Sequence, residues 1–171
     1  GPVPVINEVV NISPSSITSI IGVATYTITG GAPSDTVFIQ NYSNGSPTSS
    51  GSLSLSGGGA AAGTVTGLPV GTFYSVLTFA STGHTRTTST VTVTALNEVV
   101  NISPLTIAAG SGIATYTISG GAPSTTFFIQ NYSNGVASSS TTLTLDVAGA
   151  YSGNVSGLTA GTFYSVLTFT A

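Results

Sequence analysis

The side chains able to do acid–base, nucleophilic or metal chemistry are few and scattered. The chain has 171 residues, with no cysteine and no lysine. Its charged or titratable candidates are one arginine, one histidine and four acids: Arg86, His84, Glu8, Asp35, Glu98 and Asp146. A Ser-His-Asp triad needs a histidine oriented by an acid beside a nucleophile, and His84 follows a polar turn with no G-x-S-x-G motif. We therefore predict that the protein is not an enzyme and that His84 is an exposed loop residue.

The same inventory excludes most metal sites. Zinc is bound by clusters of cysteine and histidine, which a chain with one histidine and no cysteine cannot form. Calcium takes several carboxylates close together, and no Asp-x-Asp run occurs. One weak candidate remains, a single ion at the junction of the two repeats described below, held by Glu98, Asn97 and backbone carbonyls. We predict no other metal site and no cofactor.

A covalent cross-link between strands is the remaining chemistry to weigh. Lys–Asn isopeptide bonds cannot form without lysine. A Thr–Gln ester would need Gln40 or Gln130 beside a threonine and an acid such as Glu8 or Glu98. The alternative is that both glutamines are polar strand residues that satisfy backbone groups.

The elements that position these residues occur twice. Residues 24–45 (ATYTITGGAPSDTVFIQNYSNG) return at 114–135, shifted by 90 residues. The repeat predicts two tandem domains, 3–95 and 96–171. We exclude residues 1–2 from the fold as a protease-site scar or a processed terminus. The junction lacks glycine and proline, which predicts a stiff, extended pair of domains.

The second copy lacks a counterpart of the last strand of the first copy, predicted at 85–95. Two explanations stay open: a longer array is cut at this point, or another chain donates the strand. Residues 3–5 align with 93–95, so the start of the chain also reads as the end of a strand. For strand donation, the candidates for the exchanged strand are Val3, Val5, Val9 and Ile12.

Local patterns place the strands within each copy. Residues 23–29 alternate apolar residues with threonine, which indicates a half-buried strand. Asn44-Gly45 is a strong hairpin signal because both residues tolerate positive φ. Leu53 and Leu55 alternate with serine and predict a short strand. Glu8 and Glu98 lie in runs closed by proline, which we interpret as edge strands whose charge discourages association.

The segment GLPVGTFYSVLTF (67–79), repeated as GLTAGTFYSVLTF (157–169), resembles the L-x-P-G-T-x-Y pattern that opens strand F of fibronectin type III and other immunoglobulin-like domains. Proline is one place early in the first copy and absent from the second, and the Cys–Trp–Cys core of antibody domains is missing. The resemblance implies an all-β fold of two immunoglobulin-like β-sandwiches. It also implies that the hydroxyls of Tyr74 and Tyr164 bind upstream backbone as a tyrosine corner.

The amino-acid composition limits which partners the protein can bind and where it is expected to be located. Only 3% of residues are charged, against a usual ~25%, so no basic patch for nucleic acid or an anionic membrane can form. No run of about 18 apolar residues exists to span a membrane. Such a surface favours an extracellular protein, on which Asn-x-Ser sequons would be candidate sugar sites. These sequons are at Asn11, Asn41, Asn44, Asn101, Asn131 and Asn154.

Three functions fit these observations. The first is a stiff spacer or stalk in a prokaryotic surface protein, similar to the repeat regions of large adhesins. The second is a subunit of an extracellular filament joined by donor-strand addition. The third is a glycan- or surface-binding module that uses Tyr42, Tyr132 and the neighbouring Asn-Gly turns. The expected partners are neighbouring repeats, copies of the chain itself, or a surface or glycan.

Overall fold

The computed structural model describes residues 5–170, which form strands and turns only. The chain divides into two compact units, Gly1–Ala95 (unit 1) and Leu96–Ala171 (unit 2). The strands of unit 1 are β1 Val9–Ser13, β2 Ser16–Thr18, β3 Ala24–Thr29, β4 Thr36–Ser43, β5 Ser46–Ser54, β6 Ala61–Val65, β7 Gly71–Phe79, β8 Thr85–Thr87 and β9 Val91–Thr94. Those described in unit 2 are β10 Val99–Ser103, β11 Ile113–Ser119, β12 Thr126–Ser133, β13 Val136–Thr144, β14 Tyr151–Ser156 and β15 Phe163–Phe169.

Unit 1 is a sandwich of two sheets. One sheet has the order β1-β3-β6, and the other has the order β2-β9-β7-β4-β5, with β8 also paired to β7. All pairings are antiparallel except that of β2 with β9, which is parallel. This is the strand order of an immunoglobulin-like domain, so the predicted fold class is confirmed.

The core of unit 1 consists of two apolar clusters between the sheets. Strand alternation creates both, because every second residue of a strand points to the same face. The first contains Ile28, Val37, Leu55, Leu77 and Phe79. The second contains Ile12, Ile17, Ala24, Leu68, Phe73, Val91 and Val93. The second cluster depends on β9, whose two valines are almost fully buried.

In the described residues, unit 2 repeats the three-stranded sheet and three strands of the larger sheet, but not the whole core. Its sheets have the orders β10-β11-β14 and β13-β12-β15, and its buried cluster contains Ile118, Phe127, Ile129 and Leu145. Larger residues fill this cluster, since Phe127 replaces Val37 and Tyr151 replaces Ala61. The Phe127 and Tyr151 rings meet edge to face with centroids 5.4 Å apart.

The predicted Asn-Gly hairpins are confirmed. Asn44 and Gly45 have φ values of 52° and 78°, and β4 and β5 pair directly across them. The Asn44 side chain also accepts a hydrogen bond from the Thr72 amide at 3.0 Å and donates to the Val70 carbonyl at 3.2 Å. The turn is thereby fastened to the loop before β7. The strand predicted around Leu53 is longer than expected, because the hairpin extends over the whole of β5.

Within residues 5–170, no helix has the length and apolar character needed to cross a membrane.

Candidate functional site

Glu8, His84 and Arg86 of unit 1 meet in one network centred on the Glu8 carboxylate. The Glu8 side chain is fully buried. Its carboxylate lies 2.8 Å from His84 Nδ1 and 3.3 Å from Arg86 Nη2, and it accepts a 2.6 Å hydrogen bond from the Thr82 hydroxyl. Arg86 Nε also donates to the Glu8 carbonyl at 2.9 Å. The network ties the segment before β1 to the segment around β8, which belong to opposite sheets.

Hydrogen bonding keeps the Glu8 carboxyl ionised in its buried position. Burial by itself would raise the pKa of Glu8, because it disfavours the charged form. Hydrogen bonds from Thr82 and His84, together with the positive charge that His84 can carry, outweigh this effect and lower the pKa. Glu8 is thus a buried, paired anion, and we call the network a lock because removing one partner of such a pair is strongly destabilising.

One sequence prediction is therefore wrong and another is incomplete. Glu8 does not lie on an exposed strand edge where its charge discourages association, because it is buried. His84 lies in a loop with its side chain 42% exposed, as predicted, but it is also paired with the Glu8 carboxylate. The signal that could have revealed the network is the presence of three hydrogen-bond donors, Thr82, His84 and Arg86, in one short segment around a turn.

The counterpart in unit 2 lacks this lock in the described structure. Glu98 is half-buried, and its carboxylate makes no hydrogen bond within residues 5–170. The same residues contain no group of three or more His, Cys, Asp or Glu side chains placed to hold a metal ion. The proposed ion at Glu98 and Asn97 therefore remains a sequence prediction.

Among residues 5–170, no strand of unit 2 occupies the position that β9 has in unit 1. In the described residues, β15 has a partner only on its β12 side. Phe163 is partly exposed, whereas its counterpart Phe73 is 1% exposed. Ile102 is 39% exposed, whereas Ile12 is 8% exposed. Two clefts of about 470 and 440 Å³ border this edge, and Ile102 and Phe163 line both.

The outer face of the β4–β7 sheet carries a stacked tyrosine pair in each unit. Tyr42 and Tyr74 stack with ring centroids 4.9 Å apart and an interplanar angle of 7°. Tyr132 and Tyr164 repeat this pair at 4.9 Å and 8°. The predicted tyrosine corner is wrong, because among the described residues no hydrogen bond involves the Tyr74 or Tyr164 hydroxyl. Each ring instead packs against the tyrosine directly opposite it on the neighbouring strand.

The glutamines predicted as candidates for an ester cross-link are engaged elsewhere. Gln40 donates to the carbonyls of Asn41 and Ser49, both at 3.1 Å. Gln130 makes the equivalent contacts in unit 2. Neither side chain is hydrogen-bonded to an acid or a threonine, so the geometry supports the alternative that they satisfy backbone groups.

The structure divides the six sequons into two classes. The amide nitrogens of Asn41, Asn131 and Asn44 donate hydrogen bonds to Ser49, Ser139 and the Val70 carbonyl, respectively. The other three asparagines are exposed, and no hydrogen bond from their amide nitrogens is formed within the described residues: Asn11, Asn101 and Asn154. Only the second class presents a free acceptor nitrogen to a glycosylating enzyme.

The candidates for strand exchange divide similarly. Val9 and Ile12 belong to β1 and pair with β3 of their own unit, and Ile12 lies in the core. Val5 is 90% exposed. Val3 lies outside the described residues. In the structure β1 is therefore an integral strand of unit 1.

Comparisons with known proteins add little. No protein-family model matches the chain, and no curated protein is found to be similar to it. Among solved structures, the D0-D1 domain of Intimin is 17% identical, with 94% of this chain and 90% of that chain covered and a TM-score of 0.39. A red sea bream transglutaminase is 9% identical, with 98% of this chain but only 29% of that chain covered and a TM-score of 0.35. Both likenesses are too distant to support an argument about function.

Proposed function

We propose that this chain is a structural segment of an extracellular surface protein, in which tandem immunoglobulin-like repeats act as a stiff spacer or stalk. Its composition supports an exposed setting, since 3% of residues are charged and lysine is absent. Trypsin-like proteases would find only Arg86, and that side chain is held by Glu8.

The parallel pairing of β2 with β9 is the observation that carries the proposal. Ser16, Ile17 and Thr18 lie opposite Thr92, Val93 and Thr94. In the chain, β2 is near the start of unit 1 and β9 is at its end. Tension applied through the two ends of unit 1 pulls these parallel strands in opposite directions along their length. The hydrogen bonds between them are then loaded together in shear instead of being opened one after another, which gives the unit mechanical resistance.

Force spectroscopy on the intact chain, tethered at both ends, tests this role. Unit 1 should unfold in one cooperative event that releases about 300 Å of chain, because an extended residue spans at most about 3.5 Å. Unit 2 should unfold at a lower force, since its described residues contain no parallel pair of this kind. Unfolding of unit 1 at the same low force as unit 2 would refute the proposal.

A matched pair of variants locates the resistance. The Thr92 amide donates to the Ser15 carbonyl at 2.8 Å. Thr92→Pro removes this N–H and should lower the force for unit 1, whereas Thr92→Ala keeps it and should leave the force close to that of the parent. Equal effects from both variants would show that the β2–β9 bonds do not carry the load.

A second candidate function is binding of a glycan or surface by the outer aromatic face. The stacked pairs Tyr42–Tyr74 and Tyr132–Tyr164 recur with the same geometry, and Phe38 beside the first pair is 54% exposed. Stacked rings offer an apolar platform for sugar rings, but such cross-strand pairs also stabilise a sheet without any ligand. Glycan-array binding that is lost in the folded variant Tyr74→Ser/Tyr164→Ser would support this function, and a drop in melting temperature alone would oppose it.

A further inference from the structure

We propose that Asn44 and Asn134 are sites of spontaneous deamidation, and that the fold controls the reaction by docking each asparagine side chain on the loop that precedes β7 or β15. Each site reacts when its side chain comes off this loop, and the product then keeps a permanent record of the opening. The inference does not rest on the spacer function, because it concerns a chemical change at the two hairpin tips and not the force at which unit 1 unfolds.

The residue that follows each asparagine selects these two sites. Asn44 and Asn134 precede Gly45 and Gly135, whereas every other asparagine precedes an acidic, aromatic or β-branched residue. Glycine has no side chain to shield its backbone nitrogen, so another group can approach that nitrogen closely. An asparagine side chain can therefore react with the following peptide group most easily at these two positions.

The reaction displaces ammonia from the asparagine side chain. The Gly45 backbone nitrogen loses its proton to a base in the solvent and attacks Asn44 Cγ. The bond between Cγ and Nδ2 breaks, ammonia leaves, and a five-membered succinimide ring remains. Water then adds to one of the two ring carbonyl carbons and opens the ring to aspartate or isoaspartate. The net change consumes one water molecule and releases one ammonia molecule, without an oxidant or a cofactor.

In the folded protein, the Asn44 side chain is held away from Gly45. Its Oδ1 accepts a hydrogen bond from the Thr72 amide at 3.0 Å, and its Nδ2 donates to the Val70 carbonyl at 3.2 Å. The side chain lies against Gly71, where an added Cβ would collide with it. Attack by the Gly45 nitrogen requires the side chain to turn back over its own peptide bond. Both hydrogen bonds must therefore break first.

Unit 2 repeats this contact, which we call the asparagine dock in both units. Asn134 Oδ1 accepts from the Thr162 amide at 3.0 Å, and Nδ2 donates to the Ala160 carbonyl at 3.4 Å. A Cβ on Gly161 would collide with the Asn134 side chain. The Asn134 backbone amide also donates to the Thr162 carbonyl at 2.8 Å. The two sites should therefore be protected in the same way.

The hairpin tips are otherwise open to solvent. Gly45 and Gly135 are exposed, and no atom lies within 4 Å of a Cβ built on either residue. Base and water can therefore reach the reacting peptide, and the dock is the feature that slows the reaction. A carboxylate at position 44 accepts hydrogen bonds but cannot donate one. After the reaction the contact with the Val70 carbonyl is lost, so the dock cannot be restored in full.

The first test compares the intact chain in its folded state and in denaturing urea at the same mildly alkaline pH. Peptide mass spectrometry, with enzymatic detection of isoaspartate, follows every asparagine. In urea, Asn44 and Asn134 should deamidate ahead of all the others. In the folded chain both should react at least about tenfold more slowly, since two hydrogen bonds must break before the ring can close.

Two variants assign the protection to the dock. Gly71→Ala places a Cβ against the Asn44 side chain and should speed deamidation of Asn44 while leaving Asn134 unchanged. Gly67→Ala is the matched control, because φ is +68° there and no atom lies near the added Cβ. In this control Asn44 should react at the parental rate. Hydrogen exchange in β4 and β7 verifies that unit 1 is folded in both variants.

A measurement without substitutions keeps the proposal testable if Gly71→Ala does not fold. The Thr72 amide is the donor that the dock protects, so its hydrogen exchange reports how often the dock opens. In the parent protein, the slowing of Asn44 deamidation should match the slowing of Thr72 amide exchange as urea is raised.

Three results would overturn the proposal. One is an equal rate of deamidation in the folded and the unfolded chain. Another is an unchanged rate at Asn44 in a folded Gly71→Ala variant. The third is deamidation of Asn44 that does not follow the exchange of the Thr72 amide. Deamidation that is slow in the folded chain and follows the opening of the dock supports the proposal.

Discussion

Replacing Glu8 by glutamine tests how much the buried Glu8 network stabilises unit 1. The equivalent residue of unit 2, Glu98, provides a control within the same protein. The substitution keeps the size of the side chain but removes the charge that His84 and Arg86 face. Hydrogen bonds to a charged group contribute about 1.5–3 kcal/mol each. Removing one partner of a fully buried ion pair costs about 3–5 kcal/mol. Because His84 and Arg86 remain 42% and 33% exposed, water can replace part of the loss, so we expect about 2 kcal/mol.

The assay is urea-dependent hydrogen exchange read by mass spectrometry, which reports each unit separately. With a urea dependence of about 1–3 kcal/mol per molar, the midpoint of unit 1 should fall by about 0.7–2 M. Glu98→Gln is the same substitution in unit 2, where the carboxylate makes no hydrogen bond in the described structure. It should change stability by no more than about 0.5 kcal/mol. Equal losses in the two units would refute the reasoning.

The same network predicts an acid-sensitive unit 1. The pKa of Glu8 is lowered in the folded state, so the stability it confers is complete above the unfolded-state value of about 4.3. That stability is lost as the pH falls through the lowered folded value. The difference between the parent and Glu8→Gln should therefore be largest near neutral pH and shrink below about pH 4. A difference that stays constant down to pH 2 would contradict this account.

Three further predictions follow from local geometry. In thermal melts, Gly71→Ala should destabilise unit 1 by about 2 kcal/mol or more, because φ is +130° there and a Cβ would collide with the Asn44 side chain. The control Gly67→Ala, at φ +68° with no atom near the added Cβ, should cost only about 1 kcal/mol. An oligosaccharyltransferase added to the folded chain should modify Asn11, Asn101 and Asn154 before Asn41, Asn44 and Asn131, as read by glycopeptide mass spectrometry; the reverse order would contradict the hydrogen-bond assignment. Tyr74→Ser should lower the melting temperature of unit 1 by several degrees, since a stacked pair contributes about 0.5–1.5 kcal/mol beyond its buried area; an unchanged melt would show that the pair is not structural.

Local patterns were enough to predict much of the sandwich. The apolar side of β3 is formed by Ala24, Tyr26 and Ile28, the residues that the alternation selects. The Asn-Gly hairpins form where two positive φ values are needed. Both signals act over a few residues, so no knowledge of distant contacts is required to interpret them.

The Glu8 network and the tyrosine pairs depend on contacts between distant residues, which no local sequence pattern can predict. Glu8 and His84 are 76 residues apart in the chain, and the charge of Glu8 favours a surface position until its partners are known. Tyr74 meets Tyr42 only because the β4–β7 register places them opposite each other. The predicted last strand at 85–95 divides into β8 and β9 because Thr88 binds the Ser75 amide through its own hydroxyl.

The different core residues of the two units also affect how a chain with nearly identical repeats avoids building one unit with a strand from the other. Tandem repeats of high identity are prone to exchange strands while they fold. If β12 took the place of β4, Phe127 would enter a cavity sized for Val37, and overpacking of this kind costs about 1–3 kcal/mol. The reciprocal placement of Val37 beside Tyr151 would leave a void where the edge-to-face contact belongs. The unequal volumes of these core side chains therefore disfavour pairing between strands of different repeats while the chain folds.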